Sequence, residues 1–127
     1  MRATIPLALV SAVLAVTPLP AAAHHSIAAI YDRDKEITIE GRLIRIELIN
    51  PHSMLQLEVQ APGGAKTLWA IESRAAMGME RAGFTKQTVS EGDRVKAKGF
   101  PAQNGEPSLW LQSLTTESGK SFSFVRR

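Results

Sequence analysis

Residues 37–48 read ITIEGRLIRIEL, and their apolar side chains change phase halfway along. Ile37, Ile39, Gly41 and Leu43 fall on odd positions, whereas Ile44, Ile46 and Leu48 fall on even ones. Side chains alternate between the two faces of a β-strand, so one strand cannot hold both sets inward unless an extra residue is inserted. The stretch therefore predicts a long first strand with a β-bulge near Leu43–Ile44. A strand that bulges and bends beside a glycine is what a small closed barrel needs at a corner.

The chain downstream supplies the partners. Residues 52–60 (HSMLQLEVQ) put Leu55, Leu57 and Val59 on one face. His52, Met54, Gln56 and Glu58 share the other, polar face, which sets His52 on the surface or in a groove. Pro62-Gly63-Gly64 is a turn signal, and residues 66–72 (KTLWAIE) form a third strand. A short helix follows, capped by Ser73, stopped at Gly83 and buried along Ala75, Met79 and Ala82. Beyond the Glu91-Gly92-Asp93 turn, residues 94–100 alternate Val95, Ala97 and Gly99 with Arg94, Lys96 and Lys98. Residues 109–115 make a fifth strand, and Ser118-Gly119 turns into a last one holding Phe122, Phe124 and Val125. The class is mainly β: five to six short strands, with one short helix between strands 3 and 4, match the order of an OB-like barrel. A sandwich of the same strands is the alternative. In the barrel, Ile39, Leu43, Ile46, Leu57, Val95 and Leu111 share one core.

Upstream of the strands the chain changes character. Arg2 makes a short positive start, residues 5–16 (IPLALVSAVLAV) are apolar and uncharged, and Pro18 and Pro20 precede Ala21-Ala22-Ala23. This pattern predicts a cleaved signal peptide over residues 1–23, since a membrane span needs about 20 apolar residues. Small residues at Ala21 and Ala23 favour a cut after Ala23, which makes His24 the first mature residue. A cut after Ala22 is the second choice and gives Ala23-His24-His25. The remaining 104 of the 127 residues, 24–127, suffice for one small domain. The chain carries a formal charge of +3, which falls to +2 without Arg2 and does not by itself point to nucleic acid. It has no cysteine, which excludes disulfides and thiolate metal sites. Export without cysteines points to a bacterial periplasm or exterior, with no membrane span after cleavage.

His24-His25-Ser26, Asp32, Asn50-Pro51-His52 and Gly92-Asp93 leading into a strand form a combination with a family likeness. It resembles the domain of unknown function 6152 family, small exported bacterial proteins with an OB-like barrel. The likeness covers nearly the whole mature chain, and Arg81-x-Gly83-Phe84-Thr85 fits it as well. The chain departs from that family at Ile27, where an aromatic is favoured, at Phe84, where Trp is usual, and at Ser53-Met54, where Ala-Trp is common. These changes concern packing and leave the histidines in place. The family brings no established activity, so function must be argued from the site.

All three histidines, His24, His25 and His52, lie in those two motifs. Neutral imidazole is the commonest protein metal ligand, and Cu(II) heads the affinity order for nitrogen sites. A terminal His24 chelates through its amine and ring, and His25 or His52 can add a further nitrogen. With Ala23 terminal, His25 becomes the third residue, and the amine, two amides and that imidazole favour square-planar Cu(II) or Ni(II). Such donors compete with protons, so binding weakens as pH falls through the range of a free imidazole, about 6.5. Against this stands the ordinary possibility that His24 and His25 sit on a frayed terminus, while His52 hydrogen-bonds in a turn after Asn50-Pro51.

Other features carry less. Met54, Met77 and Met79 offer thioethers suited to Cu(I), although Met79 reads as core. Arg94, Lys96 and Lys98 make a basic face without interleaved stacking aromatics, better explained as a solvated edge than as a nucleic-acid surface. Asp32 can orient a histidine, but a solvated loop carboxylate explains it as well. No nucleophile–base pair and no phosphate loop are legible. Two function classes follow. One is a periplasmic protein binding copper or another divalent metal; the other is an OB-type interaction module for a partner protein or small ligand, with structural histidines. An oxidative enzyme built on a terminal histidine is a distant third.

Overall fold

The computed structural model describes residues 26–125. The expected signal at 1–23, both candidate cut sites, and His24 and His25 lie outside the described residues. The elements run α1 (Ile27–Ile30), β1 (Ile37–Glu47), β2 (Met54–Gln60), β3 (Lys66–Glu72), α2 (Ala76–Arg81), β4 (Arg94–Pro101), β5 (Ser108–Thr116) and β6 (Ser121–Ser123). β1 pairs antiparallel with both β2 and β4, β2 with β3, and β4 with β5. Parallel pairing of β3 with β5, from Ala70–Ser108 to Glu72–Trp110, closes a five-stranded barrel. β6 adds to β5 outside the ring. This is the OB-like barrel expected from the strand order, and it excludes the open sandwich.

The bulge in β1 lies where the phase of the sequence changes. Leu43 faces Leu57 and Arg45 faces Gln56, so Ile44 has no partner on β2. Ile44 was expected inward with Ile46 but is 41% exposed, because it is itself the inserted residue. Gly41, just before, lets β1 pass close to β2: a Cβ there would collide with the Glu58 carbonyl. Gly99 does the same for β4 against the Trp110 carbonyl. A second irregularity sits beside it, since Lys98 faces Ser113 while Gly99 faces Leu111, leaving Gln112 unmatched.

The interior is continuous and apolar. Leu43, Ile46, Leu55, Leu57, Ile71, Val95, Leu109, Leu111 and Leu114 are buried together, and Ile39 packs against them, as the alternation predicted. Full burial of each such side chain contributes roughly 1.5–3 kcal/mol. Met79 of α2 plugs this core with Phe84, which stacks edge-on with Phe122 and Phe124. The stop at Gly83 holds, with φ +84 just after the helix.

Three expectations change. Ser73 is not a cap, because α2 begins at Ala76 after Ala75, which makes no side-chain capping bond. Ser73 instead is buried and donates its N–H to the Ser53 carbonyl, extending the β2–β3 ladder. The last strand ends at Ser123; Phe124 stays buried, whereas Val125 is exposed. The basic face of β4 does not guard an edge, since β4 is hydrogen-bonded on both sides. Its cations pair across strands instead: Arg94 and Lys96 lie 3.3 and 3.9 Å from Glu40, and Lys98 lies 2.6 Å from Glu36. Among the described residues, no helix is long and apolar enough to cross a membrane.

Candidate functional site

Alternation along β5 turns Leu109 and Leu111 into the barrel and Ser108, Trp110 and Gln112 out of it. An outward tryptophan leaves a large apolar surface that needs a cover. The segment before β1 supplies it. Tyr31, Ala102 and Trp110 form a second buried cluster outside the barrel, with Ile27 and Phe100 packed against it. Backbone bonds fasten this segment: Asp32 N–H donates to the Pro101 carbonyl (2.9 Å) and Gln103 N–H to that of Ile30 (2.9 Å). The Gln103 amide also donates to the carbonyls of Ala28 (2.8 Å) and Tyr31 (3.3 Å).

A polar chain runs along the rim of this cluster. Tyr31 donates its hydroxyl to Glu72 Oε2 at 2.7 Å. That commits the Tyr31 proton, so the 3.2 Å contact with Ser108 is donated by Ser108 Oγ. The other carboxylate oxygen, Glu72 Oε1, lies 2.5 Å from His52 Nδ1. An ionised carboxylate only accepts, so Nδ1 carries the hydrogen and, in the neutral ring, Nε2 keeps its lone pair. The His52 ring also stands edge-on to Trp110 at 5.1 Å, and Trp110 is tilted against Tyr31 at 6.0 Å. The imidazole is thus fixed in position and tautomer, with its side chain 36% exposed against 20% for Glu72. Among the described residues Nε2 has no hydrogen-bond partner.

Tyr31 is 3% exposed. Burial pushes its hydroxyl from the ordinary tyrosine range up to about 12, and neighbouring Glu72 adds to the rise while the Ser108 bond opposes it. It stays protonated through the neutral range and serves as a fixed donor to Glu72.

Of the residues singled out from sequence, His52 lies in this cluster, half-buried on the polar face as expected. Asp32 does not orient it: its side chain takes Lys35 (3.3 Å) and the Asp34 N–H (3.1 Å), as a loop carboxylate. Glu72 does that work, and it was missed with Tyr31, Ser108 and Trp110. Met79 is core and Met77 is exposed, so the two share no site. Among the described residues, no three His, Cys, Asp or Glu side chains gather as metal donors. A surface groove of about 570 Å³ lined by Arg42, Asp93, Arg94 and Glu117 shares no residue with the cluster and mixes both charges.

The model of a family of unknown function, DUF6152, matches residues 11–109. No curated protein matches the chain. Among solved structures, the mitochondrial single-stranded DNA binding protein Rim1 of S. cerevisiae is similar, at 15% identity and a TM-score of 0.52. The match covers 68% of this chain and 97% of that one. At that identity the likeness shows the barrel fold alone.

Proposed function

Since the chain belongs to this family of unknown function, which lends it no activity, we propose from its own residues that it is an exported Cu(II)-binding protein. The metal is taken by the amino terminus and imidazole of His24, with His52 completing the site and His25 as the alternative third nitrogen. The observation that carries this is the Glu72–His52 contact of 2.5 Å. A metal-binding histidine characteristically gives its second ring N–H to a carboxylate, which fixes the tautomer and raises the basicity of the metal-facing nitrogen. Glu72 is itself held by the buried Tyr31 hydroxyl, so the carboxylate that positions the ring is fixed in turn. Reach supports the same reading. Ile27 packs on the cluster that includes Trp110, and the His52 ring rests on Trp110. His24 stands three residues before Ile27, and three extended residues span about 10 Å.

The solved structure that shares the barrel is titled a single-stranded DNA binding protein. Nucleic acid is nevertheless not the partner proposed for this chain, because the cations of β4 pair with Glu36 and Glu40. The second reading, an interaction module, draws on exposed Ile49 and Met77, joined locally by the Ala76 N–H to Ile49 carbonyl bond. Calorimetric titration of Cu(II) separates the two. The samples are the protein beginning at His24, a form with one added amino-terminal residue, and His52→Ala. The metal reading expects tight one-to-one binding in the first, a weaker site in the third, and a changed visible spectrum in the second. Equal, weak binding in all three would leave the interaction module as the better account.

A further inference from the structure

Met54 occupies an unusual place. It is half-buried, yet among the described residues it belongs to neither apolar cluster. Its register partners are Glu47 on β1 and Glu72 on β3, the residue that holds His52. The ladder continues past the end of β2, because Ser53 N–H donates to the Arg74 carbonyl and Ser73 N–H to the Ser53 carbonyl. Ser53 is fully buried and faces inward. His52 and Met54, on either side of it, therefore share the outward face. Adjacent strands lie about 4.8 Å apart, so the Met54 side chain starts one strand spacing from that of Glu72.

A half-buried methionine on an outward face between two carboxylates has no apolar cluster to join. Thioether sulfur is, however, a good donor to Cu(I) and a poor competitor for Cu(II), which prefers nitrogen. Glu47 is partly neutralised by Arg45 at 2.5 Å, and both oxygens of Glu72 are engaged. The thioether is then the soft donor on this outward face, two residues along the chain from His52 and in register with the glutamate that holds it. Resting on the copper reading above, we infer that Met54 is a further ligand that lets the His52 site hold copper in its reduced state, through His52 Nε2 and Met54 Sδ. No electron transfer is part of the inference: Cu(I) binds as supplied.

The test supplies Cu(I) anaerobically in competition with bicinchoninate, and Cu(II) separately, to the protein beginning at His24, to Met54→Leu and to Met77→Leu. Leucine nearly conserves volume, so the fold should be kept, and circular dichroism checks this. Met54→Leu should weaken Cu(I) binding on the order of tenfold or more and leave Cu(II) affinity within about twofold. Met77→Leu should change neither. X-ray absorption of the Cu(I) form should show a sulfur neighbour that Met54→Leu removes. Unchanged Cu(I) affinity and an unchanged sulfur neighbour in Met54→Leu would overturn the inference while leaving the Cu(II) reading intact. Loss of Cu(I) through Met54→Leu in a protein that never binds Cu(II) would uphold this ligand and overturn the amino-terminal chelate.

Discussion

Glu72 has two oxygens and two partners, and each partner loses something different without it. Glu72→Ala frees the His52 ring and removes the acceptor of the Tyr31 hydroxyl. We expect Cu(II) affinity to fall about 10- to 100-fold, and stability to fall about 1–3 kcal/mol. Calorimetry and thermal melting read the two separately, and unchanged copper affinity would detach Glu72 from the metal. Tyr31 carries its own signature. Its hydroxyl is raised to about 12 in the fold, above the unfolded value near 10, so the folded state holds that proton more tightly. The resulting stability is complete below about pH 10 and is lost as pH rises towards about 12. Tyr31→Phe should flatten the decline of melting temperature across that window, and an identical decline in both proteins would contradict the assignment. At this scale the sequence was half legible. His52 sits in a recognisable motif, but Glu72 is 20 residues away and Tyr31 is 41 residues from Glu72. Nothing local connects them. The nearest clue was Trp110 on the outward phase of β5, a large side chain requiring a cover that a single sequence does not name.

At the scale of the element, β1 was readable because a phase shift in a period-two pattern has one physical resolution. The bulge fell where expected, although Ile44 went outward: an inserted residue leaves the ladder, whatever its hydropathy. Ser73 misled because serine before an apolar run signals a cap equally well when it extends a strand. The second irregularity, at Gln112, leaves the same signature, because inward Leu109 and Leu111 are odd and inward Leu114 is even, but one even position is a weaker mark than the three in β1. β1 also makes a specific demand at Gly41, where a Cβ would meet the Glu58 carbonyl, whereas Gly63 has open space. Gly41→Ala should destabilise the fold by about 1–3 kcal/mol, as overpacking does. Gly63→Ala should be near neutral, and equal melting temperatures for the two would show that β1 and β2 are not that close.

On the scale of the whole molecule, closure of β3 on β5 does two things. It seals a core in which Leu57 is fully buried, and it brings Glu72 beside Trp110 and residues 27–31. Leu57→Asp should prevent folding, since it buries an unpaired charge. Lys96→Glu, opposite Glu40 on a solvated face, should cost less than about 1 kcal/mol. Equal tolerance of both would invert the barrel's inside and outside. The central claim is that one copper ion joins the amino terminus to His52. Anomalous X-ray diffraction at the copper edge, on crystals of the Cu(II)-loaded protein beginning at His24, addresses it most directly. The account predicts one anomalous peak at bonding distance, about 2 Å, from His52 Nε2 and from the nitrogens of His24. A peak away from His52, or none in a protein saturated with copper, would contradict it.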